Sequence, residues 1–304
     1  MSARASLVPG GSVFRRRRDG WLGLALVLPA LIIFAGFTYY PFFKNFQMGL
    51  FKAAPFPNLP SHYVGTAQFT TMLGSADFLD SVKSTVIYAL ITVPLGVIGG
   101  LVMAVLAHQK LRGIRIFRTI FSSSVVSSAA VAAVVFQVIL SPQTGYLQAL
   151  GIHLPDITSS PTWGLPAMAL VSAWQFVGLA FIILTAGLQS LPDEIMEASR
   201  VDGATAWTRL WRITFPLLSP TIFFCGVVGV IFSLQSFGQI DIMIGTSGAT
   251  YTHTNVLIYA IYRLLHVSQN TGLAACYSIA LFVITLLVTL IQFRLLERRV
   301  HYAH

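Results

Sequence analysis

The chain has 304 residues, of which 55% are hydrophobic and only 10% charged; its formal net charge is +9 and its mean hydropathy +0.75. A soluble domain carries about a quarter charged residues, so a soluble enzyme or binding module is excluded and an integral membrane protein is indicated. The positive charge flanks apolar segments, which makes it a topology signal and not a nucleic-acid patch.

A helix needs about 20 predominantly apolar residues to cross a hydrocarbon core. Six segments meet that length without the strict alternation of a barrel strand, giving predicted spans at 21–43, 84–107, 119–140, 164–188, 217–240 and 272–293. A basic tail, 1–20, with Arg4 and Arg15 to Arg18, precedes the first span. That span is too long for a cleaved signal peptide, and no small-residue cleavage site follows it. In segment 44–83, Pro55, Pro57 and Pro60 oppose a continuous helix, and Asp77-Phe78-Leu79 starts a short amphipathic approach to span two. Span three holds Ser122, Ser123, Ser124, Ser127 and Ser128, read as small residues for close packing. Segment 141–163 is mostly turn, given Pro142, Gly145, Pro155 and Pro161. Segment 241–271 opens with Gly245-Thr246-Ser247-Gly248 and turns helical at 256–265, where apolar residues recur at three and four. The tail, 294–304, is basic again. No internal repeat is visible, and 21–293 reads as one membrane domain.

Fifteen of the 19 Lys and Arg fall on one side of the bundle: the first tail, the stretch from Lys110 to Arg118, the loop with Arg200, Arg209 and Arg212, and the last tail. Lys44, Lys52, Lys83 and Arg263 fall on the other. The positive-inside rule therefore places both termini and the loop 189–216 in the cytoplasm.

That loop is unusually structured for a connector. Ser190 is a candidate cap for a helix from Leu191, Pro192 fits its first turn, and Asp193 and Glu194 suit the positive dipole end. Asp202-Gly203 breaks it. A second helix puts Trp207, Leu210, Trp211 and Thr214 on one stripe with Arg209 and Arg212 opposite, and Phe215 before Pro216 is expected to end it. Composition and periodicity alone favour an amphipathic pair resting on headgroups. Glu197 and Asp202 are expected to cap or pair locally.

Polar residues inside spans are costly and so are candidates for a solute path. Gln137, Trp174, Gln175, Gln235, Gln239 and Asp241 stand out, the last three near helical spacing in one span. Amide and indole groups suit sugar hydroxyls, although interhelical hydrogen bonding alone also accounts for them. Arg263, His266 and, more distantly, His253 are the cations an anionic solute could meet outside. Cys225 and Cys276 lie within spans and read as small hydrophobes, with no metal site. No phosphate-binding G-x-x-x-x-G-K-[ST] loop and no catalytic constellation occurs, so the chain is not read as an enzyme.

EASRVDGA from Glu197, with Ile213 and Phe215-Pro216 behind it, resembles the EAA signature of permease subunits of binding-protein-dependent ABC importers. AGLQSLPDEIMEAS from Ala186, VGTAQF from Val64, FLDSVKSTVIYAL from Phe78 and TNVLIYAIY from Thr254 resemble the sugar-permease branch. FGQIDIMIGTSG from Phe237 and QFRLLERRVHY from Gln292 are similar to the first permease subunit of glycerol-3-phosphate importers. The departures are Phe215, where the family usually has Leu, and Ser122-Ser123-Ser124, where it usually has Leu-Pro. The second puts the local geometry of span three in question.

The resemblance implies an all-α integral membrane protein: a six-transmembrane-helix ABC importer permease bundle with both termini cytoplasmic. It implies ATPase coupling through Glu197, Ala198, Ser199, Asp202, Gly203, Ala204, Ile213 and Pro216. The implied partners are a second homologous permease, two ABC ATPase subunits, an extracytoplasmic substrate-binding protein and membrane lipid, with no nucleic acid. No cofactor is bound by this chain; ATP and Mg are used by the partner ATPase. A di- or oligosaccharide importer is an alternative to the glycerol-phosphate reading. An ion-coupled secondary transporter is disfavoured, since Asp241 is the one acidic residue near a span interior, and a structural subunit without a path is the third alternative.

Overall fold

The computed structural model describes residues 13–52, 61–108, 113–141, 145–146, 150–151, 160–244 and 254–296. Pro55, Pro57, Pro60, Lys110, Arg112, Pro142, Pro155, His153, Gly245-Thr246-Ser247-Gly248, His253 and most of both basic tails lie outside them.

Helix α1 (Val13–Phe34) passes through a π turn at Ala35–Tyr39 into α2 (Tyr40–Gly49). A two-stranded antiparallel ribbon follows, β1 (Phe51–Lys52) against β2 (His62–Tyr63), and then α3 (Ala67–Leu73). Helix α4 runs without interruption over Ala76–His108. The separate amphipathic approach expected at Asp77 is therefore corrected: Asp77 lies in the first turn of the spanning helix, where its charge favours the positive dipole end.

Span three is not one helix. Helix α5 (Ile114–Val126) and α6 (Ala129–Leu140) meet at 101°. Ser127 and Ser128 are both extended at the break, and the Ser128 hydroxyl accepts from the Val131 N–H at 3.2 Å to start α6. Helix α7 (Gly164–Gln189) follows, then the short helix α8 (Asp193–Val201).

Helix α9 (Ala206–Arg209), a π turn at Leu210–Thr214 and α10 (Phe215–Leu234) form one 29-residue run. Phe215-Pro216 was expected to stop the helix, and it does not. Proline clashes with the carbonyl four residues back. Here the Phe215 N–H bonds to Leu210 O, five residues back, and the extra residue widens the turn ahead of the ring. The first span uses the same device: Tyr40 N–H bonds to Ala35 O immediately before Pro41.

Helix α10 ends at Leu234, and α11 (Gly238–Ile244) is a separate helix after the break. Helix α12 (Leu257–His266) and α13 (Thr271–Leu296) complete the described chain. Among the described residues, five helices are long and apolar enough to cross a membrane, or six if the bent α5–α6 pair is one span.

Helices α4 and α7 form the central pair. The buried face of α4 changes character along its length: Ser81, Thr85, Tyr88 and Thr92 in one half, Gly96, Gly100, Ala104 and Ala107 in the other. The small residues let the α7 backbone come close. A Cβ on Gly100 would lie 2.5 Å from the Ala180 Cβ. The first run, Gly23–Gly49, buries none of its apolar window within the chain.

Candidate translocation site and coupling surface

The two helix breaks face each other beside α7. Gln175 on α7 donates from Nε2 to the Ser127 carbonyl, 2.9 Å away, which the α5–α6 break leaves without a helical partner. Gln239 on α11 donates from Nε2 to Gln175 Oε1. These bonds tie both breaks to one buried amide. A cavity of about 290 Å³ sits there, lined by Ala129, Gln175, Gln235, Ser236, Phe237 and Gln239.

Three of the six residues proposed from sequence thus meet at one cavity: Gln175, Gln235 and Gln239. Gln235, Gln239 and Asp241 were expected on one helical span, and they do not share a helix. Gln235 is the C-cap of α10, whereas Gln239 and Asp241 belong to α11. Asp241 lies in the first turn of α11, outside the cavity lining. Its charge reaches Tyr259 on α12, whose phenol is raised by burial first and by the Asp241 carboxylate second. Trp174 packs edge-on against Phe136 on α6, ring centroids 5.2 Å apart, and remains 42% exposed. Gln137 on α6 is half-buried and also outside the lining.

Tyr88 was missed. It is 1% exposed, and its hydroxyl bonds that of Ser172 on α7 and contacts that of Ser236 at the second break. The signal was present in the order Ser81, Thr85, Tyr88, Thr92, hydroxyls recurring at four and three on one helical face. The serines of span three divide in role. Ser124 packs closely against Gly178, where an added Cβ would meet its Oγ at 2.0 Å. Ser127 and Ser128 make the break.

The element between α7 and α10 is a helix, a glycine turn and a second helix. Ser190 does not cap it; its hydroxyl donates to Gly187 O at 2.8 Å, and Pro192 is the extended residue before α8. At the other end of α8 the Ala204 N–H reaches Ser199 O at 3.0 Å and the Gly203 N–H reaches Arg200 O at 3.1 Å. That bond pair closes the helix and requires a left-handed residue, which Gly203 supplies with φ +74°. Thr205 then caps α9, accepting from the Thr208 N–H at 3.2 Å. The expected local pairing of Glu197 and Asp202 is corrected: both carboxylates are exposed, and the turn is held by backbone bonds. Ala198 and Gly203 are exposed too, Ala204, Ile213 and Pro216 are half-buried, and Ser199 is buried with its hydroxyl on Met196 O. The aromatic stripe runs along Trp207, Trp211 and Phe215, successive rings 5.6 Å and 5.4 Å apart. Val201, the last residue of α8, is 88% exposed.

Residues 71–302 match the family described as binding-protein-dependent transport system inner membrane component. The chain belongs to this family. Similar curated proteins include the sn-glycerol-3-phosphate transport system permease protein UgpA of Rhizobium meliloti (strain 1021), 33% identical over 285 residues, covering 91% of this chain and 95% of the relative. The protein of the same name from Yersinia enterocolitica is 31% identical over 287 residues, covering 93% and 96%. Among solved structures, a chain of a bacterial ABC transporter involved in the import of the acidic polysaccharide alginate superposes with a TM-score of 0.81 at 24% identity, covering 94% of this chain and 98% of that one. The permease is thus an inner membrane component of a binding-protein-dependent transport system, with several helices able to cross a membrane, and its fold is that of the alginate importer's chain.

Proposed function

We propose that the permease forms half of the translocation path of an ATP-driven importer for a carbohydrate or glycerol-phosphate-type solute. It works with a second homologous permease, two ATPase subunits and an extracytoplasmic substrate-binding protein. In this reading α5 and α6 together are one bent span, which makes six, and both termini are cytoplasmic. The observation that carries the reading is the cytoplasmic element: a backbone-locked turn at Gly203 that leaves Glu197, Val201, Trp207 and Trp211 exposed between two spans. Exposed aromatics on a rigid knob suit insertion into a groove of another subunit.

In mechanism, nucleotide chemistry takes place in the ATPase with Mg, and ATP must favour one of its conformations over the other. Closure of the ATPase dimer moves the knob around Glu197, Ala198, Ser199, Asp202, Gly203 and Ala204. Leu210–Thr214 and α10 are continuous with it, so the motion reaches the Gln235–Phe237 break directly. Gln175, Gln235 and Gln239 then present amides to the solute, with Gln137, Trp174 and Asp241 nearer the periphery. The first run, Gly23–Gly49, faces lipid and the second permease.

The relatives' shared name makes sn-glycerol-3-phosphate the first solute to test. A neutral di- or oligosaccharide is the second reading, favoured by one observation: no Lys or Arg lies between Arg118 and Arg200 or between Arg212 and Arg263. The test is uptake by the assembled complex in proteoliposomes, with labelled glycerol-3-phosphate and labelled maltose or trehalose in parallel. Uptake that requires both internal ATP and the binding protein is expected. ATP-independent uptake driven by an ion gradient would overturn the importer reading.

A further inference from the structure

A second cavity, of about 440 Å³, lies where three of the long apolar helices end. Val105 and His108 come from the last turn of α4, Leu188 and Gln189 from the last turn of α7, and Arg209 and Leu210 from the start of the run that becomes α10. Helix α8 adds Asp193 and Met196 to the wall. The cavity therefore sits between the knob and the ends of the spans that the knob connects.

Its depth follows from helix length. At about 1.5 Å per residue, the 26 residues of α7 extend about 39 Å. A bilayer with its headgroups is about 40–45 Å thick. The end of α7, and the cavity with it, falls at headgroup level.

The charge in the cavity is mixed and unspent. Arg209 is half-buried, and His108 and Asp193 are exposed. Among the described residues, none of the three has a side-chain hydrogen bond or an ion pair. The remaining wall is largely apolar. Val102, one turn before Val105 on the same face of α4, and the neighbouring Leu106 are both 52% exposed, which gives acyl chains a surface leading out of the cavity.

This wall discriminates between occupants. An acyl chain alone would cover Arg209 and leave its charge without a partner. A purely anionic headgroup would satisfy Arg209 but set its charge against Asp193. A phosphate that carries an ammonium a few bonds away satisfies both. We propose that the cavity binds the headgroup of a zwitterionic phospholipid with a primary ammonium, its phosphate on Arg209 and His108 and its ammonium on Asp193 and the Gln189 carbonyl.

Such a headgroup would bridge the knob to α4 and α7. Of the exposed residues given above to the ATPase, Glu197, Val201 and Trp211 stand outside the lining, whereas Trp207 is shared. Occupancy of the cavity is thereby linked to how the knob is held. Binding requires only that these helices span the membrane; the effect on coupling rests on the importer reading.

The experiment titrates phosphatidylethanolamine, phosphatidylcholine or phosphatidylglycerol onto the complete transporter in detergent and counts bound lipid by native mass spectrometry. Phosphatidylethanolamine is expected to bind about tenfold more tightly than phosphatidylcholine, whose quaternary ammonium has no N–H to donate. Asp193→Asn should erase the preference for phosphatidylethanolamine over phosphatidylglycerol, whereas Arg209→Gln should weaken both about tenfold. Loss of fold would not give these two opposite signatures. Equal affinity of the wild type for all three lipids, or variants that bind phosphatidylethanolamine as the wild type does, overturns the site. Lipid bound only once the ATPase subunits are stripped away gives the cavity to the ATPase and overturns it too. In nanodiscs, raising phosphatidylethanolamine from none to half of the lipid should raise ATP-driven uptake about fivefold in the wild type and not in Arg209→Gln. Binding without that rise supports the site and overturns its role in coupling. No ATP-driven uptake at any composition overturns the importer reading, and the lipid affinities then decide the site by themselves.

Discussion

Gln239 and Gln175, 64 residues apart in sequence, share a buried hydrogen bond in which the Gln239 amide donates to the Gln175 carbonyl oxygen. Gln175 passes its own amide on to the Ser127 carbonyl. One side chain on an unbroken helix thus holds two helix breaks together. Helix breaks at membrane depth are tolerated only where such partners satisfy the freed backbone groups. The same breaks leave room for a cavity, so stability and translocation depend on the same amides.

Replacing these amides should therefore show an order. Gln239→Leu removes one bond and leaves one buried acceptor unpaired, at about 1–3 kcal/mol. Gln175→Leu removes both bonds and frees the Ser127 carbonyl as well, so it should lower thermal stability in nanodiscs further. Uptake should fall in both variants. Equal unfolding temperatures for the two would mean that the Ser127 link carries no weight.

At Gly203 the expected effect is purely conformational. A Cβ built there meets nothing within 4 Å, yet φ is +74°. An L-residue in the left-handed region costs about 1–2 kcal/mol, and asparagine tolerates it best. Gly203→Asn should retain the co-purifying ATPase and most of the uptake, whereas Gly203→Val should lose both while α7 and α10 stay folded. If valine is as active as asparagine, the turn is not what positions the knob.

The elements that a sequence reading locates well are those fixed by apolar length. Span 164–188 was predicted and the helix is Gly164–Gln189; 272–293 was predicted and the helix is Thr271–Leu296. The left-handed turn at Gly203 was legible because only one residue there suits it. The break at Ser127–Ser128 was signalled only as doubtful local geometry in span three, and that at Gln235–Phe237 was not read, because each pair of flanking apolar runs adds up to one span's length and the deciding partner, Gln175, is distant in sequence. Pro216 misled for the opposite reason. Its local rule is sound, but a π turn one residue earlier removes the clash that the rule describes. The Gln175–Gln239 cavity was half legible: its amides stand out in apolar spans, whereas Tyr88 looks like an ordinary core aromatic until the hydroxyls three and four residues away are read with it.

The α4–α7 seam makes a sharp test of close approach. At Gly100 a Cβ would come within 2.5 Å of the Ala180 Cβ and 2.9 Å of backbone atoms of Ala180 and Phe181, which cannot rotate away. Gly100→Ala should cost about 1–3 kcal/mol by overpacking. Gly226→Ala, on α10, meets nothing within 4 Å and should be neutral or slightly stabilising. Thermal unfolding of the two variants side by side decides the matter, and similar melting curves would show that the helices separate freely.

Thr85 caps a helix to which it does not belong. Val256, at the N-cap position of α12, offers no side-chain acceptor, and the Leu257 N–H is satisfied from α4 instead, by Thr85 Oγ1 at 2.8 Å. Loss of a cap costs about 1 kcal/mol, and here it would also loosen α12 from α4, next to the Asn255–Ser81 bond. Thr85→Val keeps the shape and removes the acceptor; Thr85→Ser keeps the acceptor. Amide hydrogen exchange over 256–260 should quicken about fivefold in the valine variant, consistent with that free energy, and remain near wild type in the serine variant. Exchange unchanged by valine would mean that water replaces the threonine, and that α12 is held by its apolar contacts alone.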